Sequence, residues 1–103
     1  MRRHSLKIWP QLFEQVLSGA MTCMLRRNDR GFEVGDELLL EEFRYRLGEY
    51  TGRKCRVRVT HMWVGDEYVQ FGLMTGFALL SIEHVDALQR EAEARVKQVM
   101  GEA

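Results

Sequence analysis

At 103 residues the chain is long enough for one hydrophobic core and too short for a second independent one. Its 15 Lys and Arg balance 15 Asp and Glu, with 46% apolar and 29% charged residues, which excludes a disordered chain and a strong net field toward nucleic acid or an anionic membrane. The balance is local rather than uniform: residues 1–58 carry 12 basic against 8 acidic groups, and residues 59–103 carry 3 against 7, so a basic surface is expected on the N-terminal part.

Leu6-Lys7-Ile8 alternates as a short strand does, and Pro10 suits the first turn of a helix, where its missing N–H costs no intrahelical bond. The spacing predicts a helix to about Ser18, with Leu12, Phe13, Val16 and Leu17 on one face and Gly19 as its stop. Met21 to Arg27 reads as a strand ended by the Asn28-Asp29-Arg30-Gly31 turn, and Asn28 and Asp29 are read there as turn formers. Glu37 to Arg44 reads as another strand, followed by a return turn over Gly48 to Gly52.

Lys54 to Val64 alternates most clearly: Cys55, Val57, Val59, His61 and Trp63 are expected to face the core, and Lys54, Arg56, Arg58, Thr60 and Met62 the other side. A loop over Gly65 to Thr75 and a closing strand over Phe77 to Ile82 follow. From residue 84 the period becomes helical, with Val85, Leu88, Ala92, Val96 and Val99 recurring at three- and four-residue steps. The expected fold is therefore α+β: a small barrel-like sheet of about five strands with an N-terminal helix over residues 1–83, and an added amphipathic helix of the same domain over 84–103.

Cys23 and Cys55 lack CxxC or zinc-ligand spacing, and His4, His61 and His84 show no HExxH pattern, so neither metal nor cofactor is expected. The basic opening Met1 to Ser5 lacks the apolar centre of a signal peptide, and no apolar run is long enough for a bilayer. A cytoplasmic protein with reduced thiols and no membrane partner is the expectation.

His4, Leu6, Lys7, Pro10 and Phe13, then Ser18-Gly19, Thr22, Arg26, Asn28-Asp29-Arg30, Val34-Gly35-Asp36 and Tyr50-Thr51-Gly52, form an ordered series. Over about Arg3 to Ile82 this series resembles a phage- and bacteria-associated family of unknown function within the ASCH group of PUA-like domains. The resemblance implies a small β-barrel with a cleft beside the helix-to-strand turn, in a superfamily that binds RNA or modified nucleosides. The wider ASCH pattern has glycine, lysine two positions on, glutamate three further and arginine two after that; here those places hold Gly19, Met21, Met24 and Arg26. Thioethers neither activate a nucleophile nor move a proton, so catalysis is not the favoured expectation.

The resemblance, with the fork geometry of guanidinium groups, makes His4, Lys7, Arg26, Arg27, Arg30 and Thr51 the ligand or RNA-binding candidates, with Lys7, Arg26 and Thr51 first and Met21 and Met24 lining the pocket. Lys54, Arg56 and Arg58 form a basic stripe for which Glu41 and Glu42 are the simpler, cross-strand partners. The favoured function is non-catalytic binding of RNA or a nucleotide-like ligand, in a phage or prophage accessory protein. One alternative is an amidohydrolase acting on an acylated nucleoside, drawing on Lys7, Glu41 or Glu42. Another is a protein-interaction module with a vestigial pocket, a homodimer joined through the C-terminal helix.

Overall fold

A computed structural model describes residues 1–85 of the chain. Its elements are β1 (Arg3–Ile8), α1 (Pro10–Leu17), β2 (Cys23–Arg27), β3 (Glu37–Arg44), β4 (Glu49–Val64), α2 (Gly65–Tyr68), a 3-10 turn (Val69–Phe71) and β5 (Phe77–His84). The five strands make one sheet in the order β1-β3-β4-β5-β2. β1 and β3 run parallel, and the other neighbours are antiparallel.

Strand alternation explains the core. His4, Leu6 and Ile8 of β1, Leu38 and Leu40 of β3, Cys55, Val57 and Val59 of β4, and Ala78, Leu80 and Ile82 of β5 are all buried. Phe13 and Val16 of α1, Met24 of β2 and Phe32 complete the buried set, so α1 covers the inner face of the curled sheet. Pro10 opens that helix as expected, and the Ser18 and Gly19 amides close it on the Glu14 and Val16 carbonyls. Among the described residues, the outer side chains of β1 and Lys54 and Arg56 of β4 are exposed, and those of β3 from Glu37 to Phe43 are buried or half-buried.

β4 is long enough to serve both neighbours, pairing with β3 through Glu49 to Arg58 and with β5 through Val57 to Val64. The sheet curls into a half-barrel rather than the fuller barrel expected from the sequence. Its edge strands β1 and β2 do not pair with each other. Arginine side chains span the seam instead.

Four local expectations are corrected. Val59 pairs with Ile82 and His61 with Ser81, so Thr60 is an extra residue, a bulge that reverses the alternation beyond it. Met62 and Val64, not His61 and Trp63, therefore pack against the core. His61 is exposed, and Trp63 lies outside, stacked on Tyr68 with ring centroids 4.5 Å apart. The return turn comes earlier than Gly48–Gly52, because the β3–β4 hairpin extends to pair Phe43 with Tyr50 and Arg44 with Glu49; Gly48, at φ 64°, closes it. The segment expected to be loop holds α2 and the 3-10 turn. His84, expected to open a helix, ends β5, and the rest of the helix expected over 84–103 lies outside the described residues, apart from Val85.

Candidate functional site

The most chemically featured region is the seam between the free edges of β1 and β2. An edge strand leaves a row of unpaired backbone groups. On β1 these meet guanidinium groups: Arg26 Nη1 donates to the Lys7 carbonyl at 3.3 Å, and Arg30 Nη1 to the Ser5 carbonyl at 2.9 Å. Arg26 arrives from β2, two residues beyond the buried Met24 and on the same face, and Arg30 from the turn that follows. A concavity of 270 Å³ opens here, lined by Leu6, Leu25, Arg26, Arg27, Asp29, Arg30 and Phe32. Partial burial lowers the pKa of Arg26, the neighbouring Arg30 charge adds to this, and Tyr45 and Asp29 oppose it. Arg26, half-buried, remains a cation at neutral pH.

At the C-terminal end of β1 the seam meets an aromatic cluster. Trp9 stacks on Tyr45 with centroids 4.9 Å apart, and Phe43 stands edge-on to both Tyr45 and Tyr50, at 5.0 and 4.9 Å. Lys7 projects from the outer face of β1, its Nζ 4.4 Å from the Phe43 centroid and 5.8 Å from that of Tyr50. Trp9 is 52% exposed and Tyr45 44%, so the stacked pair presents ring surface to solvent. A groove of 440 Å³ runs between Trp9, Pro10 and Gln11 on one side and Tyr45, Arg46 and Leu47 on the other. Cations and exposed rings thus share one end of the half-barrel.

The other candidates are distributed differently. His4 is buried, and its Nε2–H donates to Asp36 Oδ2 at 3.0 Å with Phe32 edge-on to the ring, so it clamps the β2–β3 connection onto β1. Thr51 donates to Glu42 Oε1 at 2.6 Å. Glu42 also receives both arms of Arg53, at 2.9 and 3.0 Å, and Arg53 reaches on to Glu14 of α1 while lying 4.8 Å over Phe13. Arg27 points to the outer face, 5.6 Å from the Phe77 centroid. Met24 sits in the core and Met21 packs against it. Of the six binding candidates, Arg26 and Arg30 therefore bring their side chains to the seam, Arg27 borders its concavity, and Lys7 gives the seam its backbone carbonyl while its Nζ joins the aromatic cluster.

Electrostatics separate structural carboxylates from the seam. The hydrogen bond from Arg53, aided by Thr51, holds Glu42 below the usual carboxylate range against the effect of burial. Burial would raise Asp36, and the bonds from His4, Arg2 and Glu33 outweigh it, leaving the group below its ordinary value. On the outer face Lys54 meets Glu41 at 3.7 Å, whereas Arg56 and Arg58 turn to Glu37 rather than to Glu41 or Glu42. Lys7 and Glu41 are register partners on that face, and Glu42 lies on the other. Among the described residues no group of three His, Cys, Asp or Glu is gathered to hold a metal, and no helix is long and apolar enough to cross a membrane.

Sequence reasoning missed Trp9, Phe43, Tyr45 and Tyr50 as one cluster. A residue just beyond β1 and others on a distant hairpin meet only through the parallel pairing of β1 with β3. The available signal was compositional: three aromatics within Phe43 to Tyr50 interleaved with Arg44 and Arg46.

Residues 3–82 match the profile of a family described as a domain of unknown function, DUF3850, and the chain belongs to that family. It is also similar to an uncharacterized 12.9 kDa protein in the GpA 3′ region of Escherichia phage P2, at 39% identity over 57 residues, covering 55% of this chain and 50% of the relative. The chain thus spans about half the length of that relative.

Proposed function

We propose that this DUF3850 protein is an ASCH-type, PUA-like binding domain that holds single-stranded RNA, or a nucleotide-like fragment of it, at the β1–β2 seam without covalent chemistry. The observation that carries the reading is the exposed Trp9–Tyr45 stack with Lys7 and Arg26 beside it. A nucleobase lies on the indole or phenol face, where stacking contributes about 1–3 kcal/mol per base. The two cations meet the phosphate, Arg26 as a fork and Lys7 as a point charge. Partial desolvation of Arg26 strengthens that attraction relative to open solvent.

The state of the buried carboxylates supports binding over proton chemistry: Asp36 and Glu42 are held ionised by donors they already satisfy, whereas a general base works with a pKa near the operating pH. Similarity to a phage P2 protein supports a phage or prophage setting, and with it a cytoplasmic one. Fluorescence anisotropy of a labelled RNA oligonucleotide, titrated at several salt concentrations, tests the reading. Arg26→Ala is expected to weaken binding and reduce the slope of log K against log salt by about 0.7, the value for one phosphate on a single strand. An unchanged slope and affinity would remove Arg26 from the site, and competition by a mononucleotide would identify the smaller ligand.

A second reading, a protein-interaction module, draws on the outer face of β2, β4 and β5. Leu25, Phe71 and Met74 are exposed there near the stacked Trp63 and Tyr68. Mass in solution across a concentration series separates the two, since dimer formation through that face is reduced by Phe71→Asp and RNA binding at the seam is not.

A further inference from the structure

We infer that the hollow between Arg3 and Arg56 on the outer sheet face takes a backbone phosphate of the same RNA strand whose base stacks at Trp9 and Tyr45. The inference rests on the RNA reading above and extends it from one nucleotide to a path along β1. Arg3, Ser5 and Lys7 occupy alternate positions of β1 and share its outer face. Arg3 and Lys7 are four residues apart, about 13 Å at roughly 3.3 Å per residue, so a strand leaving the aromatic cluster past Lys7 meets the hollow next.

The hollow measures 320 Å³, roughly ten waters by their share of liquid volume, and its lining includes Arg3, Ser5, Glu37, Leu39 and Arg56. Three guanidinium groups converge on the carboxylate of Glu37: Arg56 at 3.0 Å, Arg3 at 3.3 Å and Arg58 at 3.6 Å. Arg58 also lies 3.9 Å from Glu83. Three cations against two carboxylates leave one positive charge; with the adjoining row of Lys7, Lys54 and Glu41, five against three leave two.

Glu37 is a positioning residue. It is 6% exposed, and the Arg56 hydrogen bond, helped by the Arg3 and Arg58 charges, keeps its carboxyl below the usual range despite burial. It holds the Arg56 fork in place before any ligand arrives and draws Arg3 and Arg58 to the hollow, leaving N–H donors for oxygens from outside, because each guanidinium carries five. Arg3, at 75% side-chain exposure, can turn its donors toward a phosphate entering over Ser5. A phosphodiester suits the place because it offers oxygens to forks on two sides at once.

The test uses the full chain and 5′-labelled oligouridylates of about four and about twelve nucleotides, within the range single-strand sites cover. Removing the exposed Arg3 side chain does not threaten the core. Arg3→Ala and Arg56→Ala are each expected to weaken the longer oligomer about three- to tenfold at low salt and to lower its salt slope by about 0.7, with the shorter one unaffected. Arg3→Lys, which keeps the charge, is expected to retain the slope. If the longer oligomer binds all variants with the wild-type slope while Arg26→Ala still weakens it, the outer-face path is wrong and the seam reading stands. If neither oligomer binds the wild-type protein, both fail.

Discussion

Replacing Asp36 by alanine separates a structural role for Val34-Gly35-Asp36 and His4 from a ligand-binding one. The Asp36 side chain is 1% exposed; its Oδ1 accepts the Arg2 amide at 3.1 Å, and its Oδ2 accepts His4 Nε2–H at 3.0 Å and the Glu33 amide at 3.1 Å. Alanine leaves two backbone donors and a buried imidazole without this partner, and an orphaned buried donor costs about 1–3 kcal/mol. The Arg2 and Glu33 bonds are only part-buried, so water recovers some of the loss. The sum is about 3–5 kcal/mol, the size expected for breaking a buried charge-assisted cluster. At about 4–8 °C per kcal/mol for a domain of this size, Tm falls by about 12–40 °C.

Urea and thermal unfolding followed by circular dichroism measure that loss. The pH dependence supplies an independent check. Asp36 has a folded pKa below its unfolded value of about 3.9, so its unfolded form binds the proton more readily. Its stabilisation is fully present above that unfolded value and is lost as pH falls through the folded pKa. The stability gap between wild type and Asp36→Ala should therefore be constant near neutrality and narrow below about pH 4. A loss under about 1 kcal/mol, or a gap that widens in acid, would refute the account of the clamp.

His4→Ala should lower stability by about 1–3 kcal/mol and leave RNA affinity per folded molecule unchanged, measured by unfolding and anisotropy on the same sample. Trp9→Ala should weaken RNA by about 1–3 kcal/mol with no change in salt slope, because stacking releases no counterion; a changed slope would count against the stack. Deleting Thr60 removes the extra residue and lets Val59 and His61 pair consecutively with Ile82 and Ser81, so His61 and Trp63 stay outside; we expect a folded deletion variant with cooperative unfolding, and loss of cooperative unfolding would contradict the register. Gly65→Ala places a Cβ into the Met74 carbonyl, and about 1–3 kcal/mol of overpacking strain should appear as a lower urea midpoint.

Much of the inner face was legible before any coordinates. Val57 and Val59 alternate with arginines, Pro10 and Gly19 bracket the helix, and Asn28 to Gly31 stops a strand, each through chemistry confined to a few neighbours. His4 shares the alternation of Leu6 and Ile8, so its burial was also readable, although its place at the head of a motif drew attention to binding. The seam was only half visible. Arg26 and Lys7 were singled out, but nothing local says that an arginine of β2 will reach a carbonyl of β1.

What the linear chain determined by itself was the set of elements and most of their buried sides, because helix and strand periodicities repeat within a window that local sterics control. The folded arrangement decided the rest. Whether Thr60 bulges depends on the register that β5 imposes, and whether Trp9 meets Tyr45 depends on how β1 and β3 lie side by side. Those outcomes come from contacts between residues far apart in sequence, whose joint free energy is set only when the whole sheet closes around α1.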